Sequence, residues 1–197
     1  MDTDEYEYET DTTVAQEAFV AFRKMVEDYT TRRRRYLYIV PDAYSPVAFR
    51  VHYSVNRNCR VLVCLNSTDG ARIDISPCPG GGFFTQDIST EEKREQAFEC
   101  ICKLMPKCLS SICWEMQNSG FTVSWPGNYI DTVSSQEMSI RHNQRRDWIS
   151  IFWLGPVADR LEISYMYSDR EIDKKSFNSS QTSAVILAIT KWFTREQ

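Results

Sequence analysis

Between Ser89 and Gly120 the sequence reads STEEKREQAFECICKLMPKCLSSICWEMQNSG. Apolar residues recur in this stretch at three- and four-residue spacings, a pattern typical of a helix with one broad apolar face. That face comprises Phe98, Ile101, Cys102, Met105, Cys108, Leu109, Ile112, Cys113 and Met116. Ser89 and Glu92 form a capping box at the predicted start, and Gly120 supplies a stop. Because Pro106 lies inside the run, the pattern predicts either one kinked helix or two helices that abut.

The segments before and after this helical stretch resemble each other. Short runs rich in β-branched and aromatic residues, separated by turn residues, predict four strands on each side. The predicted strands are 36–40, 47–55, 60–65 and 71–76 before the stretch, and 121–125, 138–142, 148–154 and 160–167 after it. With a shift of 88 positions, ARIDIS at 71–76 aligns with DRLEIS at 159–164, and Val61 aligns with Ile149. The common order of strands and turns indicates an internal duplication.

Two further helices complete the predicted fold. Thr13 and Gln16 form another capping box, ahead of an apolar repeat that predicts a helix of about four turns. Ser180 begins a last helix, and its predicted apolar face is Ala184, Val185, Ala188, Ile189 and Trp192. The sequence therefore predicts an α+β fold of two similar halves, each a helix followed by a four-stranded antiparallel meander, plus a C-terminal helix.

The predicted halves have approximate boundaries in the sequence. We expect residues 13–197 to form a single α+β domain with pseudo-duplicated halves at about 13–82 and 89–197. Residues 77–82 are rich in proline and glycine, which predicts a connection between the two substructures. Residues 168–178 are strongly charged and lack apolar periodicity, which predicts a second connection before the last helix.

The charge of the chain is unevenly distributed. The first eleven residues include six acidic residues and no basic one, whereas the rest has 21 acidic and 23 basic residues. We expect residues 1–12 to form a disordered acidic tail, because like charges without apolar periodicity do not build a core. No run of about 18 apolar residues occurs, so we expect no membrane span and a cytoplasmic or nuclear location.

The seven cysteines have the pattern of buried free thiols. Four of them, Cys100, Cys102, Cys108 and Cys113, occupy or flank the apolar face of the helical stretch. Their spacing lacks the closely paired cysteines and nearby histidine that a structural zinc site requires. We therefore expect no metal ion and no cofactor.

No motif in the sequence defines a reaction, so we predict a non-catalytic protein-protein interaction module, an adaptor or a subunit of a larger complex, rather than an enzyme. Large aromatic residues are enriched in the strands, and aromatic anchors dominate the energetics of interfaces. The predicted partner-binding residues are Trp148, Phe152, Trp153, Tyr165 and Tyr167 in the strands, and Tyr6 and Tyr8 in the acidic tail. The predicted partner is another protein, and a homodimer through an exposed sheet is one form of this hypothesis.

Two alternative functions remain open at this point. Basic hairpins near aromatic residues favour a protein that binds RNA or single-stranded nucleic acid. The candidate polyanion-binding residues are Arg32, Arg33, Arg34, Arg35, Arg57, Arg60, Arg141, Arg145 and Arg146. The third hypothesis is a cysteine-dependent enzyme around Cys78, which lies in a Pro-Cys-Pro-Gly-Gly-Gly segment, with His52 or His142 as the base.

Overall fold

The computed structural model describes residues 4–32, 36–66, 70–78, 83–125 and 136–195; the side chains of 4–12, 57–58, 78 and 156–157 are outside this description. The chain forms two compact units, Met1–Met105 and Pro106–Gln197. Each unit runs from a helix through a five-stranded antiparallel sheet to a second helix. No helix in the described ranges has both the length and the apolar character needed to cross a bilayer.

The first unit has α1 at Asp4–Arg32, β1 at Leu37–Pro41, β2 at Ala48–Tyr53, β3 at Asn56–Asn66, β4 at Arg72–Cys78, β5 at Phe84–Asp87 and α2 at Glu91–Leu104. Neighbours in the sequence are neighbours in the sheet, so the order is β1-β2-β3-β4-β5. One face of the sheet is apolar and is packed by α1: the rings of Phe19 and Phe22 lie 5.6 and 6.1 Å from the ring of Phe49.

The second unit has α3 at Lys107–Asn118, β6 at Thr122–Ser124, β7 at Gln136–Arg141, β8 at Asp147–Trp153, α4 at Gly155–Ala158, β9 at Arg160–Tyr167, β10 at Arg170–Asn178 and α5 at Thr182–Thr194. Its sheet is also a meander, in the order β6-β7-β8-β9-β10. Val185, Ile189 and Phe193 of α5 are buried, as expected for a helix that packs its apolar side inward.

The two units repeat the same apolar rows across their sheets. In the first unit Phe49 pairs with Val63 and Val63 with Ile75. The corresponding row in the second unit is Met138, Ile151 and Ile163. All six side chains are fully buried. The predicted fold class, α+β with two similar halves, is confirmed, although each meander has five strands rather than four.

Of the two additional strands, β10 lies in segment 168–178, which was predicted to be a connection. Strand β5 lies between the proline- and glycine-rich segment 77–82 and the helical stretch, where no element was predicted. Strand β10 is at the edge of its sheet and is exposed along nearly its whole length, so it has no alternation of apolar and polar residues. The proline- and glycine-rich segment connects β4 to β5 within one sheet and does not separate the two halves. Polar edge strands lack the alternation of apolar and polar residues from which strands are predicted, so β10 was not recognised.

The helical stretch is divided into α2 and α3, which belong to different units. Met105 and Pro106 adopt non-helical backbone angles, because proline cannot donate a backbone hydrogen bond and disfavours helix at the residue before it. The predicted apolar face is buried in both helices, including Ile101 and Ile112. That residues 13–197 act as a single domain stays a prediction.

Helix α1 begins at Asp4 instead of at the capping box at Thr13. The structure therefore differs from the expected disordered tail over residues 4–12. Acidic residues are favourable near a helix N-terminus because they complement the positive end of the helix dipole. The block of negative charge that predicted disorder is thus compatible with the first turns of a helix.

Candidate binding groove

An open groove of about 420 Å³ lies in the second unit, between α5 and the strands β9 and β10. Its lining combines aromatic, aliphatic and basic side chains. The lining residues are Tyr165, Lys175, Phe177, Ala184, Leu187, Ala188, Lys191, Trp192 and Arg195. The volume is in the range typical of ligand-binding sites.

Strand register explains one wall of this groove. Lys175 pairs with Ile163 and Phe177 pairs with Leu161, so both project on the same face of the sheet as the buried core residues. Because β10 is the edge strand, its side chains on this face lie at the margin of the core and remain accessible. The edge strand therefore brings a cation and an aromatic ring beside the core.

Helix α5 provides the opposite wall. Leu187 and Lys191 are four residues apart on one side of the helix, and Arg195 directly follows its last turn. Leu187 is 54% exposed although it is a large aliphatic residue. Ala184 and Ala188 line the same groove, and their short side chains leave space between the helix and the strand.

The groove has a positive electrostatic character. Its three charged lining residues, Lys175, Lys191 and Arg195, are all cations. Acidic residues outside the lining partly compensate two of them: Lys175 Nζ lies 3.8 Å from Asp173 Oδ2, and Arg195 Nη2 lies 3.8 Å from Asp147 Oδ2. Lys191 has no ion pair with any residue that the structure describes.

Two hydrogen-bond donors on the aromatic residues of the groove lack an acceptor. The side chain of Tyr165 is 1% exposed, and its hydroxyl has no hydrogen-bond partner among the described residues. The indole Nε1 of Trp192 is also buried without a partner there. Burial, and secondarily the nearby carboxylate of Asp173, raises the pKa of Tyr165, so the hydroxyl keeps its proton at neutral pH. Both groups are donors, and because neither atom is exposed, an acceptor on a ligand reaches them only when neighbouring side chains move.

A buried carboxylate holds the end of α5 beside the sheet. Asp147 is 1% exposed and lies between Arg195 and Arg145, whose Nη1 is 3.7 Å from Asp147 Oδ2. The guanidinium of Arg195 also stacks over the ring of Trp192. Arg195 therefore lies between an aromatic ring and a buried acid, although both Asp147 oxygens lack a hydrogen-bond partner in the described structure.

Among the predicted partner-binding aromatics whose side chains are described, Tyr165 alone lines the groove. Trp153 is buried in the core, and Tyr167 is exposed at the end of β9. Trp148 and Phe152 are half-buried on the opposite face of the sheet. The side chains of Tyr6 and Tyr8 lie outside the described residues. The partner-binding role of these residues stays a prediction.

Most residues of this groove were not predicted as site residues from the sequence. Trp192 was assigned to the core face of the last helix, and the basic residues of α5 were not recognised as a site. The missed residues are Lys175, Phe177, Ala184, Leu187, Ala188, Lys191, Trp192 and Arg195. The available signal was the four-residue spacing of Leu187 and Lys191, which marks a mixed apolar and basic helix side.

The predicted polyanion-binding arginines have several different environments. Arg141 lies over the ring of Trp148, with its Cζ 4.6 Å from the ring centroid, while Arg145 contacts Asp147. Arg60 and Arg146 are exposed. Arg33, Arg34 and Arg35, and the side chain of Arg57, are outside the described residues. Arg141, Arg145 and Arg146 belong to the β7–β8 hairpin of the second unit, whereas Arg32 and Arg60 belong to the first unit.

Arg32 lines a second groove, which lies between α1 and α2 of the first unit and has a volume of about 530 Å³. Lys24 and Arg94 are the other cations of its lining, and Asp28 and Glu91 are the acids. Charges of both signs line this groove, so its electrostatics favour no one class of charged ligand.

The residues of the cysteine-enzyme hypothesis have separate surroundings. His52 stacks with Tyr38 in the first unit, and His142 lies beside Phe121 and Phe193 in the second. The side chain of Cys78 is outside the described residues. Across the residues that are described, no three histidine, cysteine or acidic side chains form a group suited to a metal ion.

Comparison with known proteins adds no functional class. No protein-family model matches this chain, and no curated protein sequence matches it significantly. The groove and the sheet surfaces therefore provide the basis for a functional proposal.

Proposed function

We propose that this protein is a non-catalytic protein-protein interaction module, an adaptor or complex subunit, that binds an acidic peptide segment of a partner protein in the groove between α5 and β10. One observation carries the proposal: three cations surround an aromatic floor whose Tyr165 hydroxyl and Trp192 indole have no acceptor in the described structure. A peptide carboxylate supplies both the negative charge and the acceptors that these groups lack.

The position of the groove favours a peptide over a compact small ligand. Its rim is the edge strand β10, and an edge strand has backbone groups that can pair with an added extended segment. The exposed Leu187 and the half-buried Phe177 provide apolar contacts for a side chain of the peptide. Backbone pairing, an apolar contact and acidic groups together define the expected partner segment.

The N-terminal region of this chain has the composition that the proposal requires. Residues 4–11 read DEYEYETD, with five acidic residues and two tyrosines. In one form of the proposal, a homodimer, these first turns of α1 unwind in one copy and bind as an extended segment in the groove of another. We also propose a cytoplasmic or nuclear location, because six cysteines that the structure describes form no disulfide, as in a reducing compartment.

A peptide-binding experiment tests the proposal. The probe is a fluorescein-labelled DEYEYETD peptide, titrated with the full chain while fluorescence anisotropy is measured. We expect Lys191→Glu to weaken binding by about tenfold or more, because it reverses the charge of the groove cation that has no ion pair in the described structure. Lys103→Glu is the matched control, since Lys103 is an exposed helical lysine of the first unit.

The peptide also has its own control, in which each acid is replaced by the corresponding amide. Retained binding of the amide peptide, or equal losses for Lys191→Glu and Lys103→Glu, would contradict the proposal. Light scattering on the wild-type chain and on a variant without residues 1–11 identifies the partner: loss of a dimer on deletion assigns it to a second copy.

A further inference from the structure

The outer face of the first sheet has a row of three side chains on adjacent strands. Tyr38 of β1 pairs with His52 of β2, and His52 pairs with Arg60 of β3. The rings of Tyr38 and His52 are 5.1 Å apart between centroids, with an angle of 22° between their planes. Side chains alternate between faces, so this row lies opposite the face that buries Val51 and Val61.

This row presents an accessible aromatic ring and an accessible cation. Tyr38 is 39% exposed. Because β1 is the edge strand of its sheet, Tyr38 has a neighbouring strand on one side only, and His52 of that strand contacts its ring. Arg60 is exposed and makes no ion pair with a described residue. Arg50, on the same face, differs because its Nη2 lies 2.6 Å from Asp42 Oδ2. The uncompensated positive charge therefore lies with Arg60, beside the stacked rings.

We infer that this face binds single-stranded nucleic acid, with a base stacked on Tyr38 and a phosphate bound by Arg60. Unpaired bases stack on exposed aromatic side chains of sheets, and arginine donates paired hydrogen bonds to phosphate. Val40 and Leu62 continue the same face and are half-buried, so they form an apolar surface beside the stacked rings. This inference is independent of the groove in the second unit.

The corresponding row of the second sheet explains why the inference is limited to the first. There Arg141 of β7 pairs with Trp148 of β8, at the positions equivalent to His52 and Arg60. The guanidinium of Arg141 lies over the indole ring, 4.6 Å from its centroid. That ring face is therefore already covered by a cation, whereas Tyr38 has a partly exposed ring for a base.

A binding assay with RNA tests the inference. The probe is a short fluorescein-labelled oligouridylate, titrated with the full chain at low salt. We expect Tyr38→Ala to weaken binding by about tenfold, since stacking of one base contributes this order of affinity. Tyr38→Phe keeps the stacking ring and should bind like the wild type. Tyr44→Ala is the matched control, because Tyr44 is 92% exposed in the same unit but is not part of the row.

Arg60→Ala separates a phosphate contact from stacking. We expect it to reduce the slope of log affinity against log salt concentration by about one. Three outcomes would overturn the inference: no RNA binding by the wild type at low salt, equal losses for Tyr38→Ala and Tyr44→Ala, or an equal loss of heparin binding for Tyr38→Ala. Heparin has the charge of a polyanion without bases, so the last outcome indicates charge attraction alone. Circular dichroism of each variant verifies that the fold is retained.

Discussion

The ring of Trp192 on α5 lies 4.6 Å from the ring of Tyr165 on β9, measured between centroids. The hydroxyl of Tyr165 and the indole Nε1 of Trp192 are both buried without a hydrogen-bond partner in the described structure. A buried polar group without a partner typically costs about 1–3 kcal/mol of stability. The pair therefore combines a favourable aromatic contact with two donors that a bound acceptor can satisfy.

Replacing Tyr165 by phenylalanine separates stability from binding. The variant Tyr165→Phe keeps the ring and removes the hydroxyl, so we expect the free energy of unfolding to stay unchanged or to rise by about 1 kcal/mol. We expect its affinity for the DEYEYETD peptide to fall, because one donor to the peptide is lost. Chemical denaturation and fluorescence anisotropy measure the two quantities on the same preparation.

Tyr167→Phe provides the control for this substitution. Tyr167 is exposed at the end of β9 and does not line the groove, so neither stability nor peptide affinity should change. A marked loss of stability in Tyr165→Phe would show that its hydroxyl has an acceptor, which would remove the basis for a ligand contact there.

A second prediction concerns the pH dependence of stability at His52. Burial, followed by the charges of Arg60 and Arg50, lowers the pKa of His52 below its ordinary value of 6.5. Tyr38 is the other titratable group that stacks on this ring. Between the pKa of His52 in the folded chain and 6.5, the unfolded chain binds more protons at His52 than the folded chain does. Protonation of His52 therefore lowers the free energy of unfolding as the pH decreases.

We therefore expect His52→Gln to reduce the loss of stability between about pH 7.5 and about pH 5, measured by urea denaturation. Arg60→Gln should act in the same direction, because it removes a positive charge that opposes protonation of His52. A wild-type pH profile in His52→Gln would contradict the prediction.

Strands with apolar residues on at least one face were predicted from the sequence. Strand β9 was predicted with its observed bounds, because Leu161, Ile163 and Tyr165 alternate with polar or less buried neighbours. Strand β10 was missed because it is exposed on both faces apart from Phe177, so burial left no pattern in its sequence. Edge strands of this kind are specified by pairing with a neighbour, which local sequence does not encode.

The groove could not be predicted from local patterns for a related reason. Tyr165 and Trp192 belong to different elements, and each has the spacing of an ordinary core residue. Only the packing of α5 on β9 brings the two rings together, and the pairing of β10 adds Lys175. Likewise, Pro106 predicted a kink or a break in the helical stretch, and the non-helical angles at Met105 and Pro106 show a break.

A third prediction concerns the reactivity of the cysteines. Burial is the main cause that raises the pKa of Cys108 and of Cys113 to about 11, so almost none of either thiol is ionised at neutral pH. In the native chain we expect iodoacetamide to modify the half-buried Cys64 and Cys100 before Cys113. Mass spectrometry of peptides after timed labelling measures the order.

The same experiment examines the hypothesis of an enzyme based on Cys78. That hypothesis requires Cys78 to react much faster than every other cysteine, since an activated thiolate is the nucleophile. Native labelling of Cys78 at the rate of Cys64 and Cys100 would remove this hypothesis. Labelling in denaturant provides the control, because all seven cysteines should then react at similar rates.

The last prediction tests the duplication through equivalent core positions. Ile75 on β4 and Ile163 on β9 are separated by the same shift of 88 positions that aligns the two halves, and both are fully buried. Each pairs across the sheet with a buried residue, Val63 for Ile75 and Ile151 for Ile163. The two isoleucines therefore fill equivalent places in the sheets of the two units.

We expect Ile75→Ala and Ile163→Ala each to destabilise the chain by about 2–5 kcal/mol, because each removes buried methyl groups and leaves a cavity. Ile172→Ala should change stability by less than about 0.5 kcal/mol, since Ile172 is an exposed residue of β10. Differential scanning calorimetry measures the three changes on full-length protein. If Ile75→Ala lowers the free energy of unfolding and Ile163→Ala changes it as little as Ile172→Ala does, the two core positions do not share a structural role. The stability lost on truncation depends on how far the surrounding side chains collapse into the cavity. Equal losses of stability at Ile75 and Ile163 would therefore indicate that the two positions are packed alike.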